Sequence, residues 1–301
     1  MQPNPHLPTL RQLQYLIAVV ELAHFGKAAE RCCVTQSTLS AGIQELEGIL
    51  GTTLLERNKR RVIVTPTGEQ VAAKARQILT LAADLTATAR PTTTPLSGHL
   101  SLGVIPTIGP FLLPKVLPAI RARYPALELT LVEERSAQLV EQVESGKLDT
   151  AVLAFPYPLR TLERLLFWHE NFVVALPTGH PLTNQPVIAT ESLPADQLLL
   201  LQEGHCLTDH ALAACRLEGL KAHAAFQGTS LYTLMQMVAG GQGITFLPEM
   251  AIGEELLRNR EIHLIRLQEP GPHREIGLIW RSSYGHQADL RTLADEMRQR
   301  L

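Results

Sequence analysis

From Thr65-Pro66 to about Arg90 the chain reads as one long helix, and Val71, Ala75, Ile78, Ala82, Leu85 and Ala89 along it alternate steps of four and three. That heptad spacing makes a coiled-coil seam, for which a lone surface helix has no use, so the pattern predicts pairing with a second copy of the chain. Pro91-Thr-Thr-Thr-Pro95 comes next without periodicity and reads as a hinge. Seam and hinge divide 301 residues into a small domain before and a larger one after, each with enough chain to build its own core.

In the small domain, Thr9-Leu-Arg-Gln12 fits a capping box, and Leu13, Leu16, Ile17 and Val20 at helical spacing predict a helix over Leu10 to Leu22. A short second helix turns Phe25, Ala28, Ala29 and Cys32 inward, and both Cys32 and Cys33 are expected to be core packing. After the turn at Val34-Thr35, Thr35 caps a third helix with the apolar stripe Leu39, Ile43, Leu46 and Leu50. Its other face carries Ser37, Thr38, Ser40, Ala41 and Gln44, small or hydrogen-bonding groups that suit a helix lying in a major groove. An ordinary solvated helix face has the same look. The adjoining residues tip the balance: two strands, Thr53 to Glu56 and Val62 to Val64, enclose Arg57, Lys59, Arg60 and Arg61. Residues 1–66 carry seven Lys/Arg against five Asp/Glu, a local +2 in a chain of net charge −2. A basic wing beside three helices is an electrostatic footprint for DNA.

From Gly98 onward strands and helices alternate: Leu100 to Ile105, a helix to Tyr124, Leu127 to Glu133, a helix to Ser145, then Thr150 to Ala154. This predicts an α/β domain with a largely parallel sheet. A second such unit spans roughly Phe167 to Pro270, and Ile276 to Trp280 returns to the first. No Gly-rich phosphate motif appears, because Gly240-Gly241-Gln242-Gly243 comes after a helix and not a strand. Two helix starts, Pro106-Thr107-Ile-Gly-Pro110 and Gly228-Thr229-Ser230, could present free backbone N–H groups to a polar ligand, or could simply be capped ends. The N-terminus MQPNPHLPTL has neither a basic nor an apolar signal region, and no apolar run reaches a membrane span, so the expected compartment is the cytoplasm, where thiols stay reduced.

Two of the four cysteines fall in QEGHCLTDHALAACRLEGL, residues 202–220. Thr208 as N-cap, Asp209 in the first turn and Gly219 past the end predict a helix over Asp209 to Glu218. Nine residues of that path would hold Cys206 and Cys215 on the order of 10 Å or more apart, beyond the ~4.4–6.8 Å a disulfide tolerates. Joining them would require the helix to unwind, which makes the pair a candidate switch; two small buried apolar residues are the plain alternative. A helix N-terminus and the adjacent His205 would lower the Cys206 pKa, and a fall from about 8.5 to about 6.5 would raise its thiolate share at pH 7 from roughly 3% to roughly three quarters. His205, Cys206, His210 and Cys215 could instead hold a soft metal, although their spacing matches no common zinc pattern.

The segment FGKAAERCCVTQSTLSAGIQELEGILGTTLLERNKRRVIVTPTG resembles the winged helix-turn-helix of LysR-type transcriptional regulators, with Ser37 where many members have Pro. HCLTDHALAAC, preceded by PTIGPFLLP and succeeded by GTSLYTLMQMVAGGQGITFLP, is similar to the peroxide-sensing branch of that family, and the likeness covers the whole chain. The resemblance implies a mixed α/β protein: a winged helix-turn-helix at 1–65, a linker dimerisation helix at 66–90, a hinge at 91–97 and an effector domain at 98–301. That domain would resemble a two-lobed periplasmic binding protein, with lobe I at 98–166 and 271–301 and lobe II at 167–270. It implies Cys206 as peroxidatic thiol, Cys215 as resolving thiol, and Thr107, Ser136 (where relatives have Thr), His205, Asp209 and Arg274 as residues that bind peroxide or hold Cys206. It further implies a non-enzymatic activator of oxidative-stress genes without metal or cofactor. Its partners would be promoter DNA, hydrogen peroxide as signal, a second copy in dimers and tetramers, RNA polymerase and a cellular dithiol reductant. The rivals are a co-inducer-binding regulator, a metalloregulator and a thiol peroxidase.

Overall fold

A computed structural model describes residues 7–58, 61–88, 94–202, 204, 206–214, 230–253 and 261–301. Two compact units divide near residue 91.

The first unit is helical with a two-stranded wing. In α1 (Leu10–Leu22) the capping box forms as its sequence requires: Gln12 N donates to Thr9 Oγ1 at 3.2 Å and Thr9 N to Gln12 Oε1 at 2.8 Å. α2 (Phe25–Arg31) is capped by the His24 imidazole, whose Nδ1 accepts from Gly26 and Lys27 N. α3 (Gln36–Leu50) starts at Thr35, which accepts from Thr38 N, and stops at Gly51, where φ is +66°. β1 (Leu55–Asn58) pairs antiparallel with β2 (Arg61–Val64), and α4 (Pro66–Thr88) leaves from the wing. Glu47, on α3, ties the wing to that helix by accepting from Leu54 N at 2.8 Å and Leu55 N at 3.1 Å. Leu16, Val19, Ala28, Leu39, Ile43 and Leu46 fill the core, each large one worth ~1.5–3 kcal/mol of burial.

Two expectations need correction here. Cys33 is exposed at φ +54°, because the turn that reverses the chain from α2 into α3 directs it away from the core, whereas the half-buried Cys32 packs against that core as expected. In α4, Ala72 and Ala75 are buried in the unit's own core with Val71 packed against it, so only the later part of the seam stays open: Ile78 is 45% exposed, Leu85 73%, and the neighbouring Leu81 52%.

The second unit runs β3 (Gly98–Val104), α5 (Gly109–Arg123), β4 (Leu127–Glu133), α6 (Ser136–Glu144), β5 (Thr150–Phe155), β6 (Leu162–Glu170), β7 (Phe172–Pro177) and β8 (Val187–Ile188). It continues through α7 (Cys206–Ala214), α8 (Leu231–Ala239), β9 (Thr245–Pro248), β10 (Ile262–Leu267), β11 (Arg274–Arg281) and α9 (Gln287–Arg298). One sheet has the order β4-β3-β5-β11-β6, with β3 parallel to both β4 and β5, and β11 antiparallel to β5 and β6. Every residue of β5 is buried, as a central strand covered on both faces demands. The other sheet has the order β8-β10-β7-β9. The expectation of a largely parallel sheet does not hold in it, since β7 is antiparallel to both β10 and β9 and only β8 runs parallel to β10. The connectivity explains this: β7 enters the lobe and β10 leaves it at the same junction, so adjacent entering and leaving strands must oppose. β6 remains in the first sheet through Glu170, past the expected lobe division at 166/167.

Candidate functional site

At the junction, chain segments cross between lobes at Asn171 and again at residues 268–273. Glu170 ends β6 and Arg274 begins β11, and both side chains are almost fully removed from water. Arg274 Nη2 lies 2.6 Å and Nε 2.7 Å from Glu170 Oε1, and the guanidinium stands 5.6 Å over the Phe172 ring. Glu170 Oε2 accepts from Met250 N at 2.8 Å, so its other oxygen is engaged as well. Toward α5 the same guanidinium donates from Nη2 to Thr107 O at 3.2 Å and from Nη1 to Thr107 Oγ1 at 3.4 Å. Thr107 is therefore fixed on the loop before α5, 2% exposed.

Cys206 faces this node. It is the first residue of α7 and 5% exposed. The helix thus begins three residues earlier than the sequence suggests. Thr208 does not cap it, because that hydroxyl is spent on Leu201 O at 3.1 Å. Burial pushes the Cys206 thiol up; the Arg274 charge and the Ser136 hydroxyl pull it back, while Asp209 adds to the rise. This overturns the expected lowering: removal from water outweighs the favourable helix terminus and guanidinium. Ser136, at the start of α6, is 2% exposed and its Oγ has no hydrogen bond of good geometry, although it lies near enough to favour a thiolate at Cys206. Ser136 thus sets a buried hydroxyl donor beside the thiol.

Of the other expected site residues, Asp209 is exposed on α7, and its influence on Cys206 opposes ionisation. His205 and Cys215 lie outside the described residues. Two residues not singled out in the sequence, Glu170 and Tyr157, belong here, as does His210, named there only as a possible metal ligand. Glu170 is the counter-charge of Arg274. Burial pushes the Tyr157 phenol up, and the nearby Cys206 and Asp209 add to the rise. His210, 4% exposed, donates from Nε2 to Pro156 O at 2.8 Å, and burial pushes its pKa down, so the ring is neutral and Nδ1 is a bare, buried acceptor. Only His210 carried a legible signal, a histidine one turn from the cysteine.

On the first unit, Ser37, Thr38, Ala41 and Gln44 form an exposed face of α3, and Ser40 is half-buried beside them. Arg57 stands opposite Val62 in the wing, and Arg61 opposite Asn58, while Lys59 and Arg60 lie outside the described residues. Among the described residues no group of His, Cys, Asp and Glu is placed to hold a metal ion, and no helix is long and apolar enough to cross a membrane.

Residues 10–69 match the family described as bacterial regulatory helix-turn-helix proteins of the lysR family, and residues 93–301 match the LysR substrate binding domain. The chain belongs to the LysR family of transcription regulators, a family of DNA-binding proteins rather than enzymes. It is similar to the HTH-type transcriptional regulator EstR of Acinetobacter baylyi, 41% identical over 97% of each chain. The hydrogen peroxide-inducible genes activator of Dickeya chrysanthemi is 38% identical over 97% of this chain and 95% of its own length. Among solved structures, a full-length OxyR with a single cysteine-to-aspartate substitution, from Pseudomonas aeruginosa, aligns with a TM-score of 0.84 at 34% identity, covering 98% of this chain and 99% of that one.

The buried pair at the junction generates a stability prediction. Arg274→Met leaves the Glu170 carboxylate unpaired out of water and should lower unfolding free energy by about 3–5 kcal/mol, whereas Arg274→Met with Glu170→Met should recover most of that loss. Trp168 and Trp280 both lie in β strands of this unit, so denaturant titration monitored by tryptophan fluorescence reads the effect directly.

Proposed function

We propose that this LysR-family regulator senses hydrogen peroxide through Cys206. The observation that carries the reading is the Cys206 thiol placed beside a buried guanidinium and the buried Ser136 hydroxyl, with Thr107 fixed by the same guanidinium. The kinship with a hydrogen peroxide-inducible activator supports it. Ser136 and Thr107 supply hydrogen bonds to the two peroxide oxygens, and Arg274 stabilises negative charge as it develops. The Cys206 thiolate attacks one oxygen, the O–O bond breaks, and hydroxide leaves; Cys206 becomes a sulfenic acid. The Cys215 sulfur then forms the disulfide as water departs, and a dithiol reductant later restores both thiols. His205 and Asp209 act as supporting residues around the thiol.

The disulfide requires α7 to give up its seat, and the altered effector domain respaces DNA-binding units on promoter DNA, engaging RNA polymerase at oxidative-stress genes. Dimers form through the open stretch of α4, and tetramers through the effector domains. Ser37, Thr38, Ser40 and Gln44 read the groove, while Arg57, Lys59, Arg60 and Arg61 bind phosphates. A second reading, an organic co-inducer at the same node, is favoured by the buried, upward-shifted thiol.

Four expectations separate these readings and test the architecture. Arg57→Ala should weaken binding to specific and random DNA alike and flatten the salt dependence by about 0.9 in log–log slope, measured by fluorescence anisotropy from low to moderate salt. Ile78→Glu should dissociate the α4-mediated dimer in sedimentation and abolish simultaneous contact with two half-sites; an unchanged assembly would place the dimer elsewhere. Cys206→Ser should leave the DNA footprint blind to peroxide, and Cys215→Ser should accumulate a sulfenic acid trapped by dimedone. Because the folded-state pKa of Cys206 is raised, the reactive thiolate is the minor form at neutral pH. The rate of sulfenate formation should therefore climb about tenfold per unit from pH 6 to pH 8. If both serine variants respond normally, the co-inducer reading replaces the redox one.

A further inference from the structure

A second pair of thiols lies far in sequence from Cys206. Cys32 and Cys33 are consecutive, both are free, and they occupy the turn that ends α2 and precedes the Thr35 cap of α3. Cys33 is exposed and Cys32 half-buried, its side chain packed at the margin of the helical core. Their backbone is fixed: Cys32 N donates to Ala28 O and Cys33 N to Glu30 O, each at 3.0 Å. Cys33 holds φ +54°, a conformation glycine or asparagine takes readily and a cysteine takes at a cost of roughly 1–2 kcal/mol. Packing explains Cys32 in part, but nothing in the helix-turn-helix requires a thiol at the exposed, left-handed position. Burial pushes the Cys32 thiol up and the neighbouring Cys33 adds to the rise, while the charges of Arg31 and Arg11 work against it.

We propose that Cys32 and Cys33 form a dithiol site for trivalent arsenic compounds, and that occupation of the site releases DNA. Soft, thiophilic trivalent arsenic takes two thiolates, and consecutive residues supply both from a single turn of the chain. With phenylarsine oxide, two As–S bonds replace the arsenic–oxygen bonds, the two thiol protons leave with that oxygen as one water, and no atom changes oxidation state. Chelation draws the Cys32 sulfur from the core margin toward Cys33. The turn that sets the angle between α2 and α3 then distorts, and the Ser37 to Gln44 face loses its alignment. The inference stands independently of any role for Cys206.

The full-length chain with Cys206→Ser and Cys215→Ser keeps Cys32 and Cys33 as its only thiols. One equivalent of phenylarsine oxide should abolish both free thiols in a thiol titration, resist excess glutathione, and lower DNA affinity at least tenfold in an anisotropy assay; 2,3-dimercaptopropanol should reverse all three effects. Adding Cys33→Gly, which suits φ +54° and so preserves the fold, should leave DNA binding in place and abolish glutathione-resistant arsenical binding. Two thiols still titrating after one equivalent, resistant binding that survives Cys33→Gly, or full DNA affinity in the loaded chain would each overturn the proposal.

Discussion

The Arg274–Glu170 pair is the interaction on which the effector unit turns. Two opposite charges removed from water are tolerated only when their remaining hydrogen-bonding capacity is filled, and here it is filled from elements far apart in sequence. Thr107 takes two guanidinium N–H groups before α5, and Met250 N, in the other lobe, donates to the carboxylate. His273 N donates to Glu170 O at 3.0 Å and its Nδ1 accepts from Phe172 N at 2.9 Å, so both crossings between lobes are stitched to one node. The same guanidinium is the largest influence working against the burial of Cys206. Structural need and chemical consequence thus share one side chain: the charge that locks the junction also makes a buried thiol convertible to thiolate.

Legibility in the sequence tracks the range of the interactions. The capping box at Thr9 and Gln12, the Thr35 cap, the start of α4 at Pro66 and the strand Leu127–Glu133 are readable because each is decided within a few residues. The start of α7 is not, because Thr208 has a tertiary partner in Leu201 O that no local rule reveals. The thiol's ionisation escapes a local reading for a related reason. A helix terminus is visible in a sequence, but the packing that takes Cys206 to 5% exposure is assembled from both lobes. Glu170 shows the same limit: nothing marks it as the partner of Arg274 across 104 residues. The antiparallel lobe II sheet depends on where the chain enters and leaves, which strand-by-strand periodicity does not encode.

The linker helix shows one sequence pattern divided between two uses. Its early positions Ala72 and Ala75 complete the core of the DNA-binding unit, and a groove of about 630 Å³ lined by Pro8, Leu13, Leu50, Val71 and Ile78 opens beside them. The heptad alone does not distinguish a seam facing its own domain from one facing a partner, since both need apolar residues at the same spacing. Beyond Ile78 the helix leaves Leu81 and Leu85 open, and there, among the described residues, the apolar pattern has no occupant within the unit.

α7 has the construction of an element that can be released. Among the described residues, Cys206–Ala214 is held in place by tertiary anchors at several positions. Cys206, Leu207 and Ala211 are buried, His210 holds Pro156 O, Thr208 holds Leu201 O, and the intervening Asp209 faces solvent. Two of those anchors carry weaknesses. His210 keeps an unpartnered buried nitrogen, and Cys206 sits against a hydroxyl without a proper bond. Oxidation at Cys206 would place a polar S–OH group where an apolar thiol had packed, withdrawing part of the burial that holds the helix. Because the anchors act together on a short segment, weakening one lowers the cost of opening the rest. In the proposed reading, the chemical step and the conformational step are coupled through that shared dependence: the residue that reacts is also one of those that keep the helix in place.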